Sequence, residues 1–272
     1  MKQQFQQVLS FLYFFEICCR NSNEELCEGG FKAINRIISI SGPTYALTFE
    51  LYGFTSIAFE RLRKADKSIV PICHYLGEMF HMESISQSII PSDMNDLLMN
   101  LLAVDSDIII ESILSLLKKC SETCYMMNIL FENDACLIKY IIDLGNRESL
   151  GIRRQALETI SAFFEVFQFE ISSLFFMEPQ KMIFFLNYLQ SGDNDLILIT
   201  LQCLQYLFIE MNNSEHALTQ EMVASVVGDD TLDQALDELL DDIERTEVID
   251  ENACTIQVLI QTIRQSYNIA IE

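Results

Sequence analysis

The chain has 272 residues, half of them apolar, with 9 Gly, 4 Pro and no Trp. That length and apolar fraction suffice for a large core and exclude global disorder, while so few turn-makers argue against a sandwich or barrel of many short strands. The formal net charge of -23, from 40 acidic against 17 basic residues, repels phosphate and argues against nucleic acid and anionic membrane as partners; such a field attracts basic proteins or peptides, and it also serves solubility.

In chain order, the first predicted element is the apolar run from Val8 to Cys19. It has roughly the length of a signal-peptide core, but Glu16 interrupts it and no small-residue cleavage site follows. Phe5, Val8, Leu9, Leu12 and Phe15 fall on one helical face, so the run reads as the first helix of an array. No uninterrupted apolar run has the length needed to span a bilayer. The nine cysteines are odd in number and scattered, with Cys18, Cys73 and Cys203 inside apolar helical stretches. That usage points to a reducing compartment.

The next elements repeat. Ile113 to Leu117, Ala156 to Ile160 and Thr200 to Leu204 each sit inside a helical pattern, and each is preceded by a short polar turn: Asp105 to Asp107, Asn146 to Ser149 and Ser191 to Asp195. Before each turn stands another apolar helix, over 97–102, 137–144 and 182–189. Two weaker copies lie upstream, at Ala33 to Ile37 and Ile72 to Leu76, at nearly the same spacing. Helix pairs recurring at about 40 residues are the armadillo or HEAT pattern, because one pair cannot bury its apolar face and must stack on its neighbours. Pro71, Pro91 and Pro179 fall just inside or before helical segments, where a missing amide hydrogen costs little; Gly42-Pro43 and Gly151 are placed in turns. The expected fold is therefore all-α, a right-handed superhelical solenoid of armadillo/HEAT type forming one domain over 1–272. Its inner helices lie near 31–40, 69–80, 111–120, 153–165 and 196–210, with acidic capping helices over 229–272. A compact helical bundle is the competing architecture, and it would not produce a constant period.

The stretch Ile152-Arg153-Arg154-Gln155-Ala156-Leu157-Glu158-Thr159-Ile160-Ser161 resembles the groove-lining helix of the importin-α (karyopherin-α) armadillo motif. Asp193 to Phe208, Tyr75-Leu76-Gly77-Glu78, and the closing segment from Leu240 through Ile263 to Tyr267 are similar to further parts of that family, in the same order. The resemblance implies a concave groove that takes an extended protein segment, a role in nuclear protein import, and a place in cytoplasm and nucleus. In the family a Trp and an Asn one turn apart hold lysine stems and peptide backbone in each repeat, since an aromatic face attracts a cation and an amide fixes an extended strand. Carried over, the Trp positions fall on Asn35, His74, Ser115, Glu158 and Gln202, and the Asn positions on Ser39, Glu78, Lys119, Ala162 and Tyr206. Neither residue type is kept at its place. Each lost aromatic site is worth about 0.5 to 2 kcal/mol, Lys119 adds repulsion toward a basic ligand, and Glu78 and Glu158 are expected to offset little by pairing with its lysines. The family's basic N-terminal carrier-recruiting segment also lacks a counterpart, since the first 20 residues hold only Lys2 and Arg20.

Between Asp229 and Glu251 stand eleven acidic residues and one basic residue, Arg245. Leu232, Leu236, Leu239, Leu240 and Ile243 recur at helical spacing beneath them, so the run reads as a capping helix with a solvated outer face, and alternatively as a dock for a basic partner. Cys120 and Cys124 lie one turn apart with Cys136 further on, and His74 and His81 stand seven residues apart beside Cys73. Neither set supplies the three or four convergent ligands a metal requires, so no metal or cofactor is expected. No phosphate loop, nucleophile elbow or zinc-protease helix is present, and the sequence reads as a binding protein without catalysis. The partner expected is a protein or extended peptide; an interaction scaffold or chaperone cofactor from another armadillo family is the alternative.

Overall fold

The computed structural model describes residues 2–81, 90–121, 132–213, 231–245 and 251–271. The chain divides into two compact units, Met1–Ile138 and Lys139–Glu272. Among the described residues there are helices and no strands.

The first unit contains α1 (Lys2–Arg20), α2 (Glu24–Ser41), α3 (Pro43–Leu51), α4 (Phe54–Leu62), α5 (Ile69–His81), α6 (Met94–Leu102) and α7 (Asp107–Cys120). The division of the chain falls inside α8 (Glu132–Leu144). The weak upstream repeats at 33–37 and 72–76 lie in α2 and α5, and 113–117 lies in α7. These three pack side by side, α2 on α5 and α5 on α7, while α1, α4 and α6 back them. Local sequence explains the boundaries. Asn23 caps α2, its Oδ1 accepting from the amides of Glu25 at 2.9 Å and Leu26 at 3.3 Å, and Glu24 and Glu25 favour the positive end of the helix. Gly42, at φ 71, ends the helix in a backbone region costly for other residues, and Pro43 opens α3. Phe31, Ile34 and Ile38 of α2 are buried, as are Leu12, Phe15 and Cys19 of α1, while Phe11, Tyr13, Phe14 and Ile17 of α1 are exposed; the side chains of Phe5, Val8 and Leu9 lie outside those described.

The second unit contains α9 (Leu150–Val166), α10 (Gln168–Met177), α11 (Ile183–Leu189), α12 (Asn194–Asn213), α13 (Thr231–Arg245) and α14 (Glu251–Ile271). Here α9 packs on α12 and α12 on α14; α10 and α11 back α12. The polar turn before α12 is a cap, with Asp193 Oδ1 accepting from the amides of Asp195 at 3.0 Å and Leu196 at 3.3 Å. Gly151 does not lie in a turn as expected: it is the second residue of α9, where its exposed position imposes no packing demand. The acidic helix α13 buries Leu232, Leu236 and Leu239 beneath its charges. Its partner α14 lies against α12 as α12 lies against α9, so it forms a further member of the repeat row.

Polar groups fasten the first unit from within. The Arg61 side chain is 3% exposed and its guanidinium donates to Asp66 at 2.7 Å and to the carbonyl of Asn21 at 3.2 Å. Asp66 in turn accepts from the Ser68 amide at 2.9 Å and from the Ser68 hydroxyl. In the second unit rings do this work. Phe164, Phe175, Phe184, Phe185 and Tyr188 form a linked cluster, and the Tyr188 hydroxyl donates to the Arg153 carbonyl at 2.5 Å. Gly145 stands against these rings, where a Cβ would come within 2.3 Å of Phe184.

Candidate functional site

Each repeat helix buries one stripe and leaves another uncovered. On α2 the uncovered stripe is Lys32, Asn35, Arg36 and Ser39; on α5 it is Val70, His74, Glu78 and His81; on α7 it is Ser115, Lys118 and Lys119. In the second unit it comprises Arg154, Glu158, Ala162 and Glu165 on α9, Gln202 and Tyr206 on α12, and Val258 and Gln261 on α14. These spacings of three and four residues keep side chains on one face. All ten positions singled out in the sequence are therefore at the surface: Ser39, His74, Ser115 and Gln202 exposed, and Asn35, Glu78, Lys119, Glu158, Ala162 and Tyr206 half-buried. Six of them belong to the α2, α5 and α7 row and four to the α9 and α12 row.

Several of these groups already have partners within the protein. Asn35 Nδ2 donates to the Pro71 carbonyl at 2.8 Å, tying α2 to α5. Lys119 pairs with Glu78 across α7 and α5. The Lys119 stem lies over Gly77, where a Cβ would meet Lys119 Cδ at 2.7 Å, so the absence of a side chain at 77 is what lets the lysine reach its carboxylate. Partial burial works against the Glu78 carboxylate, yet the Lys119 hydrogen bond and charge, with His74 and His81 adding to them, hold its pKa below the ordinary glutamate range. Glu158 accepts from Arg154 Nε at 3.1 Å, and Arg154 also reaches Asp195 at 3.7 Å. The two carboxylates expected to meet a ligand's lysines are thus neutralised by cations of this chain, and the expected repulsion from Lys119 is offset in the same way.

The sequence reading missed Arg36, and it weighed His81 only as a metal ligand and not as part of this surface. Arg36 stands next to Asn35 and one turn after Lys32, a spacing legible as a cationic stripe once Lys32 is counted with it. The α14 stripe was also missed, hidden under the reading of the whole terminus as an acidic cap.

Among the described residues no three His, Cys, Asp or Glu side chains converge as metal ligands. Cys120 is buried and Cys136 exposed; Cys124 lies outside the described residues. Burial pushes the Cys203 thiol up to about 12 and the Cys73 thiol well above its ordinary value, which makes both poor nucleophiles at neutral pH. A cavity of about 490 Å³ between the α11 end, α13 and α14 is lined by Leu189, Ile197, Leu239, Ile256 and others, with Asp242 its titratable side chain; it holds no nucleophile and base pair. No single described helix is long and apolar enough to cross a membrane.

No family model matches the chain, and no curated protein matches it. Solved structures do. A designed armadillo repeat protein is similar with a TM-score of 0.68 at 13% identity, over 94% of this chain and 99% of that one. A second designed armadillo repeat protein, solved in complex with the peptide (KR)4, has a TM-score of 0.69 at 13% identity over the same shares. Computationally designed armadillo repeat proteins for modular peptide recognition give 0.66 at 15% identity, over 88% of this chain and 93% of theirs. At such identities the likeness concerns fold alone, and with the stacked helix rows it establishes that the chain is an all-α solenoid of armadillo type.

Proposed function

We propose that the protein is a binding scaffold that takes an extended segment of a partner protein along the uncovered stripes of its repeat helices, without catalysis. The observation that carries this reading is the row itself. In each unit successive repeat helices lie side by side and leave polar or charged side chains at the surface, a surface suited to a strand that crosses the helices. A solenoid of the same fold has been solved holding a peptide, which supports an extended chain as ligand.

A carrier role like that of importin-α, in cytoplasm and nucleus, would place lysine-rich segments on the same stripes. No Trp stands at the Trp positions, where Asn35, Ser115, Glu158 and Gln202 carry no ring and His74 only an imidazole, and Glu78 and Glu158 are engaged by Lys119 and Arg154. A lysine-rich import peptide is therefore expected to bind more weakly than micromolar at physiological salt. Fluorescence anisotropy tests this, and a tighter complex would show that the grip survives by other means.

The broader reading is tested by selecting binders to the full chain from a random peptide library and mapping them by hydrogen exchange. Protection is expected on α5 and α7 or on α9 and α12. Failure to select any peptide, or protection confined to α1, α4 and α6, would remove the scaffold reading.

A further inference from the structure

The cavity of about 490 Å³ in the second unit is lined by none of the stripe residues. Leu189, Ile197, Leu239 and Ile256 form buried apolar walls. At the mouth Ile243 is half-buried, and Gln190, Asn194 and Asp242 are exposed. An apolar cavity of about 150 Å³ holds one benzene ring, so this one has room for two or three large apolar side chains. Its α13 rim is strongly acidic. That helix carries six carboxylates, Asp233, Asp237, Glu238, Asp241, Asp242 and Glu244, and two guanidinium groups stand against them. Arg264 of α14 bonds Asp233 at 3.4 Å and Asp237 at 2.6 Å, and Arg245 reaches Asp242 at 3.4 Å and Asp241 at 3.6 Å. Glu238, exposed and on the same ridge of α13 as Asp242, pairs with no cation among the described residues. The turn that supplies Gly192 and Asn194 to the lining adds Asp193 and Asp195, of which Asp195 lies 3.7 Å from Arg154.

We infer that this cavity docks a basic amphipathic helix of a partner protein. Its large apolar side chains enter between Leu189, Ile197, Leu239 and Ile256, and its lysines or arginines meet Glu238 and Asp242. Two features select this occupant. The apolar walls favour groups that leave water, and the excess of carboxylate on α13 favours cations beside those groups. A helix supplies both, because residues three and four apart share an apolar face while the flanks stay charged. Glu238 and Asp242 stand about 6 Å apart along α13 at 1.5 Å per residue, the interval at which lysines recur on a facing helix. Arg245 offers little competition: it and both its partners are exposed and its contacts are long, so a ligand's cation can displace it. An acidic helix with the same apolar face would be repelled, as would nucleic acid.

The test uses the full chain and three labelled peptides of about 15 residues, long enough to form a helix, measured by anisotropy. The first has Leu at helical spacing among Lys, the second replaces Lys by Glu, and the third replaces Leu by Ser. The first is expected to bind about tenfold or more tighter than either other peptide and to weaken as salt rises. Ala253→Leu, which fills the cavity from its α14 wall, should cost it about fivefold or more. Glu238→Gln with Asp242→Asn should cost about as much at unchanged volume, and it carries the test if Ala253→Leu fails to fold. Asp96→Asn with Asp105→Asn, the same charge change at exposed positions of the first unit, should leave binding within about twofold. The inference is overturned if none of the three peptides binds, or if the Lys and Ser peptide or the Leu and Glu peptide binds as tightly as the first. Binding unmoved by the Glu238 and Asp242 double variant, with unchanged circular dichroism, would overturn it too. None of these outcomes touches the stripes, whose test remains the selection of library peptides.

Discussion

In Met1–Ile138 a buried ion pair, Arg61 with Asp66, joins the end of α4, the α4 to α5 turn and the carbonyl of Asn21. In Lys139–Glu272 the corresponding interior is a cluster of rings, Phe164, Phe175, Phe184, Phe185 and Tyr188, and among the described residues its buried polar side chains are the uncharged Thr159, Ser172, Thr200 and Ser266. The outer surfaces differ too. The first unit carries 17 acidic and 10 basic residues and the second 23 and 7. Stacking of repeat helices asks only for apolar residues at the right period. How the stack is fastened, and what charge it presents, are then free to diverge between units with the same helix arrangement.

The interiors can be separated most sharply by truncation. Phe185→Ala removes a fully buried ring and is expected to cost about 3 to 5 kcal/mol, the usual range for such a cavity. Arg61→Ala is expected to cost a similar amount, about 3 to 5 kcal/mol, because it leaves Asp66 ionised, nearly buried and without its cation. Denaturant unfolding measures both losses, and hydrogen exchange locates them, in α10 and α11 for the first and in α4 and α5 for the second. The double variant Arg61→Met with Asp66→Leu distinguishes the causes. An apolar pair of similar volume should restore most of the stability lost in Arg61→Ala, whereas no polar residue at 185 can do so. A double variant as unstable as Arg61→Ala would mean that the ion pair is needed for its bonds to Asn21 and Ser68.

A smaller effect is expected to be equal in the two units. Asn23→Ala and Asp193→Ala each remove a side chain that accepts two amide hydrogens at a helix start, and each should cost about 1 kcal/mol. A marked inequality would show that one of these helices is held mainly by packing.

Much of this architecture could be read from the chain alone. The periods at 113, 156 and 200 required no knowledge of partners, since a helix that must bury one face announces it in the spacing of Ile, Leu and Phe. The ten surface positions could likewise be placed, by carrying the resembling motif over residue by residue and not from the local stripe pattern. Their pairing could not. That Lys119 finds Glu78 depends on the distance between α5 and α7 and on the absence of a side chain at Gly77, and nothing in either local sequence reports the height at which two helices of different repeats meet. Arg36 was passed over for a related reason: transferring motif positions one by one selected Asn35 and left its neighbour unweighed. The role of α14 was obscured by charge, since the acidic run of α13 directed attention to the terminus as a cap and away from the helix lying against α12.

The smallest expected effect concerns the Glu78 and Lys119 pair. Both side chains are about a third exposed, so screening by water limits the pair to less than about 1 kcal/mol at pH 7. Because the folded-state pKa of Glu78 lies below its unfolded value, the contribution is fully present above the ordinary glutamate range, near 4.3, and is lost as pH falls through the lower folded value. Glu50 has the opposite sign. Burial raises its pKa despite the hydrogen bond from Thr55, so its ionisation costs stability as pH rises past the ordinary range, and Glu50→Gln should flatten that part of the curve. Glu78→Gln is then expected to lower stability slightly at pH 7 and by less at pH 3, followed by urea midpoints at both values.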